Sequence, residues 1–321
     1  MRARSTSPGN GVLNYSGQKA VQFNGLGGLQ VTPDNLVFAD GSMVLTGDQT
    51  VAQDLNSAHP LSDLAGQYFQ GGAGGEAFFA FDGVDTLHGG DGNDRFYLSG
   101  FNSSPTTTVT SADSVFGDAG RDRVYFQAYN ANGQFVSTVS SVSVNLNPGI
   151  GGVQTAQWGA SAISLFSIEE VHVVGGTGTS NTMTGSAGDE SFTVGGRNPS
   201  TPVASYTIDG GGGTDWLGFN SLNPTAVNVS LASSSVVWGL NTTVNYSNVE
   251  ALSGTAGNDT LSGSDTLGVV EYFRGQGGNN TIHGGFGFDF ISFNGAASGV
   301  VVDMSGGTAS NNGRGGVDTF D

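Results

Sequence analysis

Cysteine is absent from the 321 residues. Its absence excludes disulfides and thiol chemistry, so a fold outside the reducing cytosol needs another staple. Charge is sparse and one-sided. Charged residues make up 11% of the chain, against roughly 25% in an average globular protein. Acids number 27 and bases 9, for a formal net charge of −18, which argues against nucleic acid and anionic membrane surfaces as partners. No apolar run approaches the length of a membrane span. The N-terminal MRARSTSPGNG has a basic start but lacks the apolar core of a secretory signal peptide. No HExxH and no Gly-x-Ser-x-Gly occurs, and His59, His88, His172 and His283 stand outside any ligand motif. The chain therefore reads as carrying no catalytic site of its own.

Glycine is abundant, at 55 residues, and it falls in phase with acids and aromatics. Gly71–Tyr97 is three adjoining copies of one nine-residue pattern, Gly-Gly-x-Gly-x-Asp-x-apolar-x: GGAGGEAFF, AFDGVDTLH and GGDGNDRFY. The sixth place holds Glu76, Asp85 and Asp94, and the eighth holds Phe78, Leu87 and Phe96. After a loop-like insertion beginning LSGFNSSPTT, SADSVF puts Asp113 in the sixth place, and GDAGRDRVY follows with Asp122. Later copies are GSAGDESFT from 185, GGGGTDWLG from 210, GTAGNDTLS from 254, GQGGNNTIH from 275, GGFGFDFIS from 284 and GRGGVDTFD from 313. Their sixth places hold Glu190, Asp215, Asp259, Asn280, Asp289 and Asp318.

A fixed short period with carboxylate and apolar residue in phase is a solenoid signature. Six residues make a turn and three a short strand, in which the eighth residue points inward. Stacked coils bring the sixth-place carboxylates into a ladder with rungs about 4.8 Å apart. Bare carboxylates at that distance repel by roughly 3 kcal/mol at an effective dielectric near 20. A cation between rungs removes the repulsion. Calcium suits, because it accepts a mixture of carboxylate and carbonyl oxygens. The candidate ligands are therefore the sixth-place residues together with turn residues that offer main-chain carbonyls. The latter are Gly72, Gly74, Gly83, Gly89, Gly90, Asp91, Gly92, Gly117, Ala119, Gly211, Gly213, Gly257, Gly278, Gly285 and Gly287. An ion needs two stacked turns, so roughly three to seven ions are expected.

These nonapeptides resemble the repeats-in-toxin (RTX) proteins, with their haemolysin-type calcium-binding repeat. The resemblance implies an all-β fold, a right-handed parallel β-roll or β-helix solenoid with loop insertions. It also implies calcium as the cofactor and export to the cell surface or beyond by a type I secretion system. A secreted structural protein that folds in calcium follows, with self-association or cell-surface polysaccharide as partner. The alternative is the calcium-binding module of a larger secreted protease, lipase or polysaccharide epimerase.

Three regions are expected: a β-rich cap or tail of an upstream domain over 1–70, a first array over 71–125, and longer solenoid cassettes over 126–321. In the cap, NLVFADGSMVL reads as two strands about an Asp40-Gly41 turn, with a loop or short helix over 46–66. In the cassettes an alternating strand recurs at Val142–Leu146, Val227–Leu231 and Val300–Met304, and an acidic strand at Ile168–Val171 and Val249–Leu252. Glu169 and Glu170 read as part of that strand. The last copy ends inside a repeat with Phe320 in the inward place, so the sequence reads as a piece of a longer chain or an unusual member. The uncapped strand edge there invites a further domain or a second copy. Trp216, in a seventh place, is expected to face outward; the tryptophans in general are expected to be packed rather than free to stack on sugars.

Overall fold

A computed structural model describes residues 2–7, 10–14, 20–24, 35–37, 43–46, 68–80, 84–98, 101–102, 112–130, 135–136, 140–148, 152–176, 178–195, 204–239 and 241–321. Among the described residues every regular element is a strand. The expected loop or helix at 46–66 lies almost wholly outside them, as does Gly83.

The chain winds between facing sheets, as the nine-residue period requires. One sheet has nine strands, all parallel: Ala77–Ala80, Arg95–Leu98, Arg123–Phe126, Glu170–Val173, Ser191–Val194, Trp216–Phe219, Ala251–Ser253, Val270–Arg274 and Phe288–Ile291. A twelve-stranded sheet faces it over most of its length, and a six-stranded sheet takes over that role from Asn228 onward. This is the all-β parallel roll that the repeat implies. The expected Asp40-Gly41 hairpin forms at the level of its strands: Asn35–Val37 pairs antiparallel with Met43–Thr46, which joins the solenoid through Tyr68–Gln70.

Eighth-place residues fill the interior. Phe78, Phe96, Val124, Phe192 and Leu217 have essentially no exposed surface, and each such side chain contributes about 1.5–3 kcal/mol by leaving water. Because parallel strands stack in register, Phe78 and Phe96 lie ring on ring, with centroids 4.9 Å apart and planes 8° apart.

The cassettes depart from pure parallel winding. Val142–Asn145, Gln154–Trp158 and Ser161–Phe166 form an antiparallel meander inside the twelve-stranded sheet. Ser235–Trp238 and Thr242–Ser247 form a second hairpin. Trp158 and Trp238 are buried, the latter donating from Nε1 to the Thr225 carbonyl at 3.0 Å. Trp216 faces outward as expected and is half-buried.

One expectation is corrected. The bare edge is not at the final repeat. Asp318–Phe320 lies between Thr281–His283 and Thr308–Asn311, hydrogen-bonded on both sides, and Phe320 packs against the core. The terminal strands are instead Phe288–Ile291 in the nine-stranded sheet and Val301–Asp303 in the six-stranded one. The reason is local: residues 301–311 fold back as a hairpin and cover the last repeat. Phe286, Phe288 and Phe290 are exposed at the uncovered end.

Candidate metal centre

Register in the nine-stranded sheet places one acid at the head of each strand. In order along the solenoid they are Glu76, Asp94, Asp122, Glu169, Glu190, Asp215, Glu250, Glu271 and Asp289. Six of these were assigned from the nonapeptide. Glu169, Glu250 and Glu271 were not, because no glycine-rich six-residue turn precedes them. The signal that would have found them is shorter: every acid in the column has an inward apolar residue two places on, as Val171, Leu252 and Phe273 follow these three.

The column is divided into runs by hydrogen bonds. The Glu76 N–H donates to Asp94 Oδ1 at 2.6 Å, Asp94 N–H to Asp122 Oδ1 at 2.8 Å, and Asp122 N–H to Glu169 Oε2 at 2.9 Å. In the second run the Glu190 N–H donates to Asp215 Oδ1 at 2.8 Å and Asp215 N–H to Glu250 Oε2 at 3.0 Å. Glu271 and Asp289, paired in register, make the third. Each run opens on a Glu that reaches back to its own turn: Glu76 Oε2 accepts from Gly72 N–H at 3.0 Å, Glu190 Oε2 from Ser186 N–H at 2.9 Å, and Glu271 from Ser264 N–H. The first two runs close on the short turns Ser167–Glu169 and Asn248–Glu250, whose first residues take φ of 52° and 51°.

One oxygen of each interior rung is thus spoken for and the other is not. Glu76 Oε1, Asp94 Oδ2, Asp122 Oδ2 and Asp215 Oδ2 are buried without a hydrogen-bond partner. Leaving such an atom unpaired costs about 1–3 kcal/mol, more for a charged group. Burial raises the carboxyl pKa of Asp94 to about 6 and of Asp122 and Asp215 to about 7, with neighbouring acids adding to the rise. Glu76 and Glu169 are raised by burial too.

Main-chain carbonyls crowd the same places. A Cβ on Gly71 would fall 1.7 Å from the Gly89 carbonyl oxygen and 2.7 Å from Glu76 Oε2; one on Gly89 would fall 2.6 Å from the Gly117 oxygen and 2.3 Å from Asp94 Oδ2. Gly185 repeats this toward Gly210 O and Glu190, and Gly263 toward Gly284 O and Glu271. Turns are tied across by main-chain bonds, such as Asp91 N–H to Gly72 O and Ala119 N–H to Gly90 O, both about 2.8–2.9 Å. Asp91 and Ala119 form an isolated parallel bridge and expose their side chains at the turn tips. Among the described residues no three His, Cys, Asp or Glu side chains converge on one point. A cation here would rest on one or two carboxylates and several carbonyls. That donor set fits calcium and does not fit zinc.

The other assigned residues lie elsewhere. Asp85 and Asp113 stack on the opposite edge, where Asp85 N–H donates to Asp113 Oδ1 at 2.9 Å. Asp259, Asn280 and Asp318 head strands of the six-stranded sheet. There the ladder is closed by its own amides. Asp259 accepts from Val227 N–H, Thr255 N–H and the Thr255 hydroxyl, and Asp318 Oδ1 accepts from Asn280 N–H, Asn280 Nδ2 and Asn312 Nδ2. Gly257 and Gly278 belong to this ladder; Gly211, Gly213, Gly285 and Gly287 belong to the acidic column. Of the histidines, His88 lies stacked on Phe116 at 4.2 Å and His283 pairs with Asp321 at 2.9 Å.

Comparison with known families gives one match, the RTX calcium-binding nonapeptide repeat, in four copies over residues 70–104, 110–128, 248–266 and 272–292. A search of curated proteins finds no match. The first two turns of the second run, at 185–190 and 210–215, lie outside the matched stretches but have the same geometry.

Proposed function

We propose, from the premise that this chain carries RTX calcium-binding nonapeptide repeats, that it is a secreted structural protein whose roll folds when calcium enters the acidic column. The observation that carries this reading is the set of buried, unpaired carboxylate oxygens facing a cradle of carbonyls. Glu76 with Asp94, Asp94 with Asp122, Glu190 with Asp215, and Glu271 with Asp289 would each hold an ion together with the carbonyls of their turns. Asp85 with Asp113 would hold one on the opposite edge. The ion supplies positive charge where the ladder otherwise repels itself.

The mechanism is linkage. Where calcium is scarce the column is unfavourable and the chain stays loose. Outside the cell, sites with dissociation constants of ~0.1–1 mM fill, and each stabilises the fold by RT ln(1 + [L]/Kd), about 1.4 kcal/mol at ten times Kd. The protein acts at the cell surface or in a matrix. The end carrying exposed Phe286, Phe288 and Phe290 is where it would meet a further segment or a second copy. Among the described residues no helix is long and apolar enough to cross a membrane.

Far-ultraviolet circular dichroism and hydrodynamic radius, followed while calcium is titrated into chelator-treated protein, test the reading. Expected is a cooperative gain of β signal with compaction near millimolar calcium, not reproduced by magnesium. A chain already compact and β-rich in chelator overturns it.

A further inference from the structure

The outer face of the nine-stranded sheet carries a cleft of about 1020 Å³, the size of a ligand site. Its shape follows from register. Along one outward column the residues are Tyr97, Tyr125, His172, Thr193, Gly218, Ser253 and Arg274. Bulky side chains hold both ends, and Thr193, Gly218 and Ser253 leave the middle low. From His172 to Arg274 is four strand spacings, about 19 Å. The cleft is a trough running along the solenoid axis.

The trough gathers cations in a chain that has few. The whole sequence has eight arginines and one lysine, and Arg121, Arg123 and Arg274 line this cleft. Two of them are already engaged: Glu170 pairs with Arg121 Nε at 2.7 Å and also with Arg123, and Arg121 donates to the Asp189 carbonyl at 3.1 Å. Arg274 is different. It has no carboxylate within ion-pair distance among the described residues, and its Nε is buried without a hydrogen-bond partner. It lies over the Trp216 ring, 4.7 Å from the centroid, which fixes the guanidinium at the rim. Burial lowers its pKa, the nearby charges of Arg314 and Arg123 add to this, and the Glu170 charge partly offsets it. An incoming anion relieves that repulsion. Between the cationic ends the lining carries the hydroxyl and amide groups of Ser191, Thr193, Thr214, Asn220, Ser253 and Gln276, beside the Trp216 and Tyr272 rings and the Asp189 carboxylate, with Gln276 Oε1 buried and unpartnered.

We propose that this trough binds an acidic saccharide, its carboxylate or sulfate on Arg274 and its hydroxyl groups along the Ser, Thr and amide floor. A guanidinium matches the geometry of an oxyanion, and a floor rich in hydroxyls and amides suits a ligand with many hydroxyls. The site is independent of the calcium column, whose acids head the same strands at their edge.

The test is binding of the calcium-loaded protein to three probes by isothermal titration: a galacturonate oligosaccharide, a sulfated heparin-type oligosaccharide and a neutral malto-oligosaccharide. Expected is binding of one or both acidic probes, which tells carboxylate from sulfate recognition, with no binding of the neutral one. Arg274→Gln should weaken it at least tenfold while calcium uptake and thermal midpoint stay unchanged. Thr193→Trp, which fills the floor without touching any arginine, should abolish it and covers the case in which Arg274→Gln fails to fold. Failure of all probes to bind, equal binding of the neutral probe, or wild-type affinity in a folded Arg274→Gln or Thr193→Trp variant overturns the proposal.

Discussion

Two kinds of turn feed the same acidic column. Full turns, as at 89–94 and 210–215, spend six residues and place glycines against the carbonyls of the turn below. Short turns, Ser167–Glu169 and Asn248–Glu250, spend three and use a single residue with positive φ. Both deliver a carboxylate that accepts the N–H of the preceding rung. Full turns add several carbonyls, whereas the short turns add one each, Ser167 O beside Asp122 Oδ2 and Asn248 O beside Asp215 Oδ2. The difference teaches that the hydrogen-bonded ladder and the cation cradle are separable. The ladder needs an acid two places before an inward apolar residue; the cradle also needs glycine. A short turn ends a run because it continues the first and supplies only a single carbonyl of the second.

The largest effect that would sharpen this contrast is collective. In chelator, Asp94, Asp122 and Asp215 have folded-state pKa values of about 6 to 7, raised by burial from the ordinary carboxylate value of 3.8. The folded state then binds protons that the unfolded state has released, so stability falls as pH rises between about 4 and 7. The calcium-free protein should be most structured near pH 4–5 and least above pH 7.5, by circular dichroism across a pH series. With calcium bound the order reverses, because protons compete for the same oxygens.

Next in size is glycine replacement. Gly213 has φ of 116°, and a Cβ there would lie 2.2 Å from the Gly188 carbonyl oxygen. Gly213→Ala should cost about 3 kcal/mol, from strain and clash together, read as a lowered midpoint in urea with calcium present. Carboxylates should separate the two turn types more finely. Asp122→Asn keeps the acceptor for the Asp94 N–H but loses the anion, so bound calcium counted by equilibrium dialysis should fall by at least one ion. Glu169→Gln should leave the count unchanged. If both variants lose an ion, the short turn is part of a site and the distinction fails. The smallest effect is expected at Ser167, a non-glycine residue with φ of 52°. Ser167→Gly should be neutral or stabilise by about 0.5–1 kcal/mol, since glycine takes that conformation without penalty.

Much of the column was legible because a nonapeptide ties its turn, its acid and its inward residue to one phase. Asp94, Asp122 and Asp215 could be placed from the sequence for that reason. Glu169 and Glu250 could not, since a search keyed to glycine passes over turns that have lost it, and Glu271 could not because its turn keeps Gly263 but is longer than the repeat. Nor could the different state of Asp259 and Asp318 be read. Their motifs look like the others, and only the Thr255 hydroxyl and the Asn280 and Asn312 amides show that hydrogen bonds already occupy their oxygens.

The sequence by itself determined the period, the sign of the charge and the inward residues, because each is a local property repeated in phase. Tertiary structure alone decided three things. It joined nine acids from distant turns into one column, since strand register sets who stacks on whom. It moved the open edge from the last repeat to Phe288–Ile291, since a hairpin folds back over that repeat. And it opened a trough over Thr193, Gly218 and Ser253, three small residues far apart in sequence that parallel stacking brings side by side.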